Sequence, residues 1–325
     1  MNFSIEFDET TLIKIAKPLL LVEFILGSIG NAIALWIFCF RMKPWKPSTI
    51  YLFNLTIADF LLMCCLPFRL AYYANQKDWI FGDVACRMLL FMVSLNRAGS
   101  IAFLTLVAID RYFKVVLPHH KLNSMSQRYA TVGVTFIWAL MILMTSYLLF
   151  ERHVFEQKNL TYCESFNLYE SFNVAATWHD MFFVIEFVGP LCIILFCTFS
   201  IISKLQHKKS EIRRKYKKAI RIVIIVVIVF ILCFLPSNIG RLVVLAQSSK
   251  FENSEAYKAA IEGFYITLCL TYINSMLDPI VYYFSSSKFK NALHQKNSHK
   301  AERKKTGNSS CTSDSNSEQV YLRKI

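Results

Sequence analysis

The 325-residue chain lacks the marks of several function classes. No spacing of histidine, cysteine and carboxylate would hold a metal, and no glycine loop would cradle a phosphate, so nothing points to an enzyme. The halves show no internal repeat, which weighs against a transporter built from paired broken helices. Strict alternation over ten-residue blocks is missing, excluding a membrane β-barrel. Met1 to Thr10 is acidic and polar where a signal peptide would have a basic start and a short apolar core, so the first helix is expected to insert uncleaved. Charged residues make up 18% of the chain. That is below the share of about 25% usual in soluble domains.

What is abundant is apolar: 55% of residues are hydrophobic and the mean hydropathy is +0.39. Seven stretches, 16–41, 48–74, 84–116, 128–150, 175–206, 213–247 and 257–284, are long enough to cross a hydrocarbon core of roughly 30 Å as helices. The expected fold is an all-α membrane protein, a bundle of seven transmembrane helices spanning 16–284. Basic residues crowd the segments after the first, third, fifth and seventh spans: Arg41, Lys43 and Lys46; Lys114, Lys121 and Arg128; Lys208 to Arg221; Lys288 to Lys305. The positive-inside rule makes these segments cytoplasmic and residues 1–15 extracellular. The net charge of +14 then lies mostly on one membrane face, where it meets anionic lipid or a cytoplasmic partner rather than nucleic acid. His119 and His120 fall in a cytoplasmic loop, as a solvated pair.

Of ten cysteines, seven sit within spans, where a reduced thiol packs as a small apolar group. Cys86, opening the third span, and Cys163, in the loop before the fifth, both face an oxidising compartment and can bridge, pinning that loop across the bundle mouth. Asn2 and Asn159 begin outward-facing glycosylation sequons.

Arg97 places a full charge within the third span. A charge near the bilayer centre costs about 2.5–3.5 kcal/mol on insertion scales, so it should face a wet cavity and a partner of opposite sign. Arg97 follows Cys86 by 11 residues and precedes Arg111 by 14, about 16 Å and 21 Å along a helix, which puts it in the outer half. A guanidinium fork fits a carboxylate. That carboxylate belongs to a ligand or, alternatively, to Glu186 of the fifth span. Arg69 and Arg241, near the outer ends of spans two and six, either join Arg97 in a cationic vestibule that concentrates anions or snorkel toward headgroups. Tyr272 in the seventh span could donate to the same carboxylate.

Further polar residues recur at membrane depth: Gly30-Asn31, Ala58-Asp59, Asp110-Arg111-Tyr112, Trp138, Pro190, Cys233-Phe234-Leu235-Pro236 and Asn274 to Tyr282. Asp59 needs polar company, which Asn31, Ser100, Asn274, Ser275 and Asp278 supply; two carboxylates there favour a cation or a shared proton, the alternative being a network made for packing. In this order, over residues 16–297, the set resembles the rhodopsin-like G-protein-coupled receptors. The resemblance implies a sodium ion at Asp59, Ser100, Asn274 and Asp278, and a switch of Asp110, Arg111, Tyr112 and Tyr282 in which Arg111 meets the G protein once the helices open. Three positions depart from the common pattern: Phe234 stands for tryptophan, Asp278 for asparagine and Thr198 for tyrosine.

Pro44-Trp45-Lys46-Pro47 and its sequel, Asn96-Arg97-Ala98-Gly99-Ser100, Cys163-Glu164-Ser165-Phe166 and Thr271 to Pro279 resemble the hydroxycarboxylic acid receptors more closely. Membership implies that Arg97 anchors a ligand carboxylate with help from Ser165 and Tyr272. It also implies ligands such as lactate, hydroxybutyrate or hydroxy fatty acids, an inhibitory G protein that lowers cyclic AMP, and residence in the plasma membrane. No enzymatic activity or resident cofactor is expected. The related oxo- and hydroxy-eicosanoid receptors make a long-chain carboxylate the alternative, and an organic-anion transporter is the competitor from another class. Residues 1–20 and 247–263 lack the extra cysteines of nicotinic-acid-type members, implying a looser lid; Phe91, Met92, Leu95, Phe264 and Tyr265 could line a tunnel behind it or simply pack. Phe289, Ala292 and Leu293 share a face among lysines, predicting a short amphipathic eighth helix over 285–297. The tail 298–325 is polar and expected to be disordered, with hydroxyls that phosphorylation could offer to an arrestin.

Overall fold

In a computed structural model the described residues are 9–157, 159–164, 174–206, 210–248, 255–286 and 289–293. Eight helices and one hairpin are defined among them: α1 (Glu9–Phe40), α2 (Pro47–Ala74), α3 (Gly82–Val115), α4 (Gln127–Thr145), α5 (Tyr147–Phe150), β1 (Val154–Gln157), β2 (Leu160–Cys163), α6 (Val174–Gln206), α7 (Ser210–Ser248) and α8 (Glu255–Ser285). Seven of these helices are long and apolar enough to cross a membrane. Their bounds follow the hydropathy, except that the fourth span breaks at Ser146 into α4 and the single turn α5.

Helix α3 runs through the middle and buries the largest share of its apolar window, 72%, against 22% for α4 and for α6, whose outer faces are left to lipid. Large exposed side chains such as Phe136, Leu143, Ile185 and Phe196 belong to those faces. Two glycines set helix spacing. At Gly30 of α1 an added Cβ would come within 2.9 Å of the Pro279 ring on α8, and at Gly240 of α7 it would meet the Phe264 backbone at 3.2 Å. Both helix pairs therefore approach more closely than any side chain there would allow.

Pro67, Pro190, Pro236 and Pro279 lie inside helices, where each removes a backbone hydrogen bond. Beside Pro236, Ser237 Oγ and Asn238 Nδ2 both donate to the carbonyl of Phe234, at 3.0 and 2.7 Å. Hydroxyls elsewhere return to the preceding turn in the same way, as Thr56 does to Leu52 and Thr105 to Ile101. Trp138 Nε1 donates to Asn54 at 2.9 Å and joins α4 to α2.

The expected eighth helix is described over 289–293. Phe289 and Ala292 are buried, with the Phe289 ring 5.4 Å from Phe38, and Leu293 is exposed.

Candidate functional site

A lid closes the bundle end that carries the disulfide. Strands β1 and β2 pair antiparallel, with Phe155 stacked on Tyr162 and Asn159 in the left-handed conformation that asparagine tolerates at a turn. Four attachments hold the hairpin down: the Cys86–Cys163 bridge, Trp79 N donating to Thr161 at 2.7 Å, Thr161 N donating to Asp78 at 3.0 Å, and a Glu164–Lys77 ion pair at 2.7 Å. Glu164 and Lys77 are each 6% exposed and Tyr72 also donates to Glu164, so this pair is an interior one. Sequence reasoning passed over both residues. The informative sign was Glu164 following the bridging cysteine, where a carboxylate is pinned wherever the bridge pins the chain.

Removing one partner from such a pair leaves a buried charge and costs about 3–5 kcal/mol. Glu164→Gln is therefore expected to lower receptor stability by about 3 kcal/mol. Thermal unfolding in detergent checks this, and adding Lys77→Met should restore most of the loss. His153, in the lid, is pushed down to about 4 by burial and by Arg87 nearby, so the imidazole stays neutral near physiological pH.

Beneath the lid the three arginines are all buried but sort into two nests. Arg97 pairs through Nη1 with Glu186 of α6. Its Nη2 donates at 3.4 Å to the Phe183 carbonyl and at 3.4 Å to Asn238 of α7, while Nε has no hydrogen-bond partner. The guanidinium lies 3.5 Å from the Phe183 ring centre, with that of Arg241 5.5 Å from the same ring. Arg69 stands apart, within 5.4–5.7 Å of the rings of Tyr72, Tyr73 and Tyr265, and donates to the Cys163 carbonyl at 3.3 Å. Tyr272 lies in electrostatic range of Arg69 and so joins that nest rather than standing beside Arg97. The rings of Phe183, Phe264 and Tyr265 link the nests at 6.0 and 5.4 Å.

The carboxylate on Arg97 is thus Glu186, the intramolecular partner weighed from sequence. A crevice of about 10 Å³, room for about one water, touches the pair between α3, α4 and α6, lined by Ser94, Arg97, Thr145, Phe182, Phe183 and Glu186. Phe91, Leu95, Phe264 and Tyr265 are buried among neighbouring side chains, and none of them lines that crevice. Ser165 lies outside the described residues, as do Asn2 and the tail, while Asn159 is exposed on the hairpin.

Deeper in the bundle, Asp59 accepts from Tyr282 at 2.9 Å and from Asn96 at 3.3 Å, Asn274 donates to Asp278 at 2.9 Å, and the two carboxyls lie within hydrogen-bond reach of each other. Asn31 donates to the Ser275 carbonyl at 2.8 Å and so joins α1 to α8. The hydroxyl of Ser100 and one oxygen each of Asn31, Asn274 and Asp278 are buried without a hydrogen-bond partner. Tyr282, grouped from sequence with the Asp110 switch, sits instead in this cluster. Asn96 Nδ2 donates to Asp59 and to Ser275 at 3.3 Å each and so joins α3 to α2 and α8, a role that its place in the Asn96-Arg97 motif does not signal in the sequence.

At the opposite end from the lid, Asp110 pairs with Arg111 at 3.4 Å and with Lys114 at 2.7 Å, and accepts from Ser48 at 3.0 Å. The Tyr112 ring packs 5.6 Å from Phe196 of α6.

Comparison with known proteins agrees with this architecture. Residues 30–282 match the family described as 7 transmembrane receptor (rhodopsin family). The chain is 52% identical over 281 residues to hydroxycarboxylic acid receptor 1 of Homo sapiens, covering 86% of this chain and 79% of that one. It is 45% identical over 303 residues to the human hydroxycarboxylic acid receptor 2, covering 93% and 82%, and 36% identical over 278 residues to the human oxoeicosanoid receptor 1, covering 86% and 70%. The protein is a receptor rather than an enzyme, and its seven spans make it a multi-pass membrane protein. This chain belongs to the rhodopsin family of seven-transmembrane receptors and, within it, to the hydroxycarboxylic acid receptors.

Proposed function

We propose that this receptor senses a hydroxycarboxylic acid of the lactate, hydroxybutyrate or hydroxy fatty acid type and lowers cyclic AMP through an inhibitory G protein. The observation that carries the reading is the buried Arg97 guanidinium, set beside Arg241 on one aromatic ring. A ligand carboxylate takes donors of Arg97, Arg241 supports it across Phe183, and Arg69 with Tyr272 recognises a second polar group such as the hydroxyl. Ser165, two residues after the bridging cysteine in the sequence, is the further partner that the family likeness suggests. A monocarboxylate suits this arrangement because guanidinium supplies planar paired donors that an ammonium lacks.

The lid end is then extracellular and the Asp110 end cytoplasmic, in the plasma membrane, with Asn2 and Asn159 available to glycosylation. Arg111 meets the G protein, the basic segments meet anionic lipid, and a phosphorylated tail recruits arrestin. A sodium ion fits the Asp59 cluster, since Ser100, Asn31, Asn274 and Asp278 turn unpartnered oxygens inward and a hard cation takes oxygen ligands. Bound there it would favour the resting arrangement by drawing α2, α3 and α8 together.

A long-chain carboxylate is the second reading, favoured by the apolar Phe182 and Phe183 in the crevice and by the likeness to the oxoeicosanoid receptor. Cyclic AMP measured in cells given lactate, hydroxybutyrate, hydroxy fatty acids and oxo-eicosanoids separates the readings. Suppression by short hydroxy acids is the expected result, suppression by the oxo-eicosanoids alone selects the second reading, and acid uptake without G-protein activation points to a transporter.

A further inference from the structure

Arg97 is the point where three spans meet through polar contacts: α3 carries it, α6 supplies Glu186 and the Phe183 carbonyl, and α7 supplies Asn238. Both side-chain partners stand next to helix breaks. Glu186 precedes Pro190 by four residues, one turn, and Asn238 follows Pro236 by two. A helix that has lost a backbone hydrogen bond bends there more readily, so a contact beside the break governs how its two halves are set. The Arg97–Glu186 contact is also nearly closed to solvent, with side chains 4% and 10% exposed. Among the described residues the other ion pairs do not have this placement: Glu164–Lys77 and Arg87–Asp83 hold the lid and the entry to α3, and Asp110 with Arg111 and Lys114 lies at the opposite end.

We propose that Glu186 is a built-in carboxylate that occupies Arg97 in the unliganded receptor and staples α3 to α6 and α7, so that an organic acid signals by taking its place. This rests on the acid-sensing reading above and names its regulation. The incoming carboxylate reproduces the charge and planar shape of the Glu186 group, so Arg97 never loses a counter-ion. Both members of the pair, Arg97 and Glu186, line the crevice between α3, α4 and α6. Arg241, on the Phe183 ring that Arg97 also uses, keeps a cation in the nest for the displaced Glu186. Because the paired form is not competent to bind, apparent affinity is lowered by the fraction of receptor held in it, and weakening the pair raises affinity.

The test is surface-normalised cyclic AMP, with and without the acids of the panel, for wild type, Glu186→Gln and Arg97→Ala. Glu186→Gln keeps shape and a hydrogen-bonding oxygen but not the charge. It should increase ligand-free suppression of cyclic AMP and lower the half-maximal concentration of the active acid by about 5–150-fold, the usual span of a coupling between sites. A purely structural glutamate would give loss in both readouts. Arg97→Ala should raise ligand-free signalling and abolish the acid response. If Glu186→Gln does not reach the surface, Glu186→Asp, one methylene shorter, is expected to shift both readouts the same way by less, and no shift in either overturns the proposal. A wild type that responds through Arg97 while the Glu186 variants leave ligand-free signal and potency unchanged overturns the staple alone. A wild type silent to every acid overturns the acid-sensing reading and displacement with it.

Discussion

Arg97→Ala should raise the half-maximal concentration of a carboxylate agonist by at least about 30-fold while the receptor still reaches the cell surface. The size follows from truncating one partner of a buried, hydrogen-bonded charge pair, which costs about 2–5 kcal/mol, each 1.4 kcal/mol being tenfold. Arg97→Lys keeps the charge but gives up the fork, and should fall between wild type and alanine. Loss of response alone is ambiguous, because alanine also strands Glu186 as an unpaired buried carboxylate. The double variant Arg97→Ala with Glu186→Gln removes both charges and so relieves that cost. It should recover surface level toward wild type and still ignore the acid. Full potency in the well-expressed double variant would remove Arg97 from the ligand site.

The second large effect concerns the lid. Cys163→Ser should sharply reduce surface receptor and thermal stability, by about 2–4 kcal/mol, and should weaken the acid response of whatever receptor remains. The bridge closes a sequence separation of 77, which in the chain-entropy account favours a large effect. The consequence is also local. Cys163 holds Glu164 against Lys77 and Tyr72, and its carbonyl accepts from Arg69. Freeing it therefore disturbs both the lid and the tyrosine nest. Cys269→Ser is the matched control, since that thiol is free and buried in α8 and donates to the Tyr265 carbonyl one turn back, a bond that serine can keep. Surface labelling and thermal unfolding of the three proteins read the difference, and equal values for Cys163→Ser and Cys269→Ser would rule the effect out.

The spans were legible because twenty apolar residues in a row have few other uses, and the Cys86–Cys163 bridge because Cys86 opens its span at the outer end and Cys163 lies in the loop that follows the fourth. The depth of Arg97 was legible too, since helical rise converts residue number into distance. Partner choice was not. Glu186 and a ligand were both open for Arg97, as only packing decides which carboxylate is near. The grouping of Tyr272 with Arg69, and of Tyr282 with Asp59, depends on how helices rotate about their axes, which motif order does not encode. Lys77 was hidden for a different reason: a lysine at a helix end reads as solvated until the lid that covers it is in place.

At the end opposite the lid, Asp110 holds Lys114 as well as Arg111, with Ser48 as a third partner. In the proposed switch, the carboxylate that Arg111 leaves is already neutralised by the residue one turn later. The lock is then asymmetric: opening forfeits one ion pair without creating an orphaned charge. On that proposal the arrangement lowers the threshold for firing. Taking the positive charge from position 114, as in Lys114→Gln, would make Arg111 the sole counter-ion and raise that threshold.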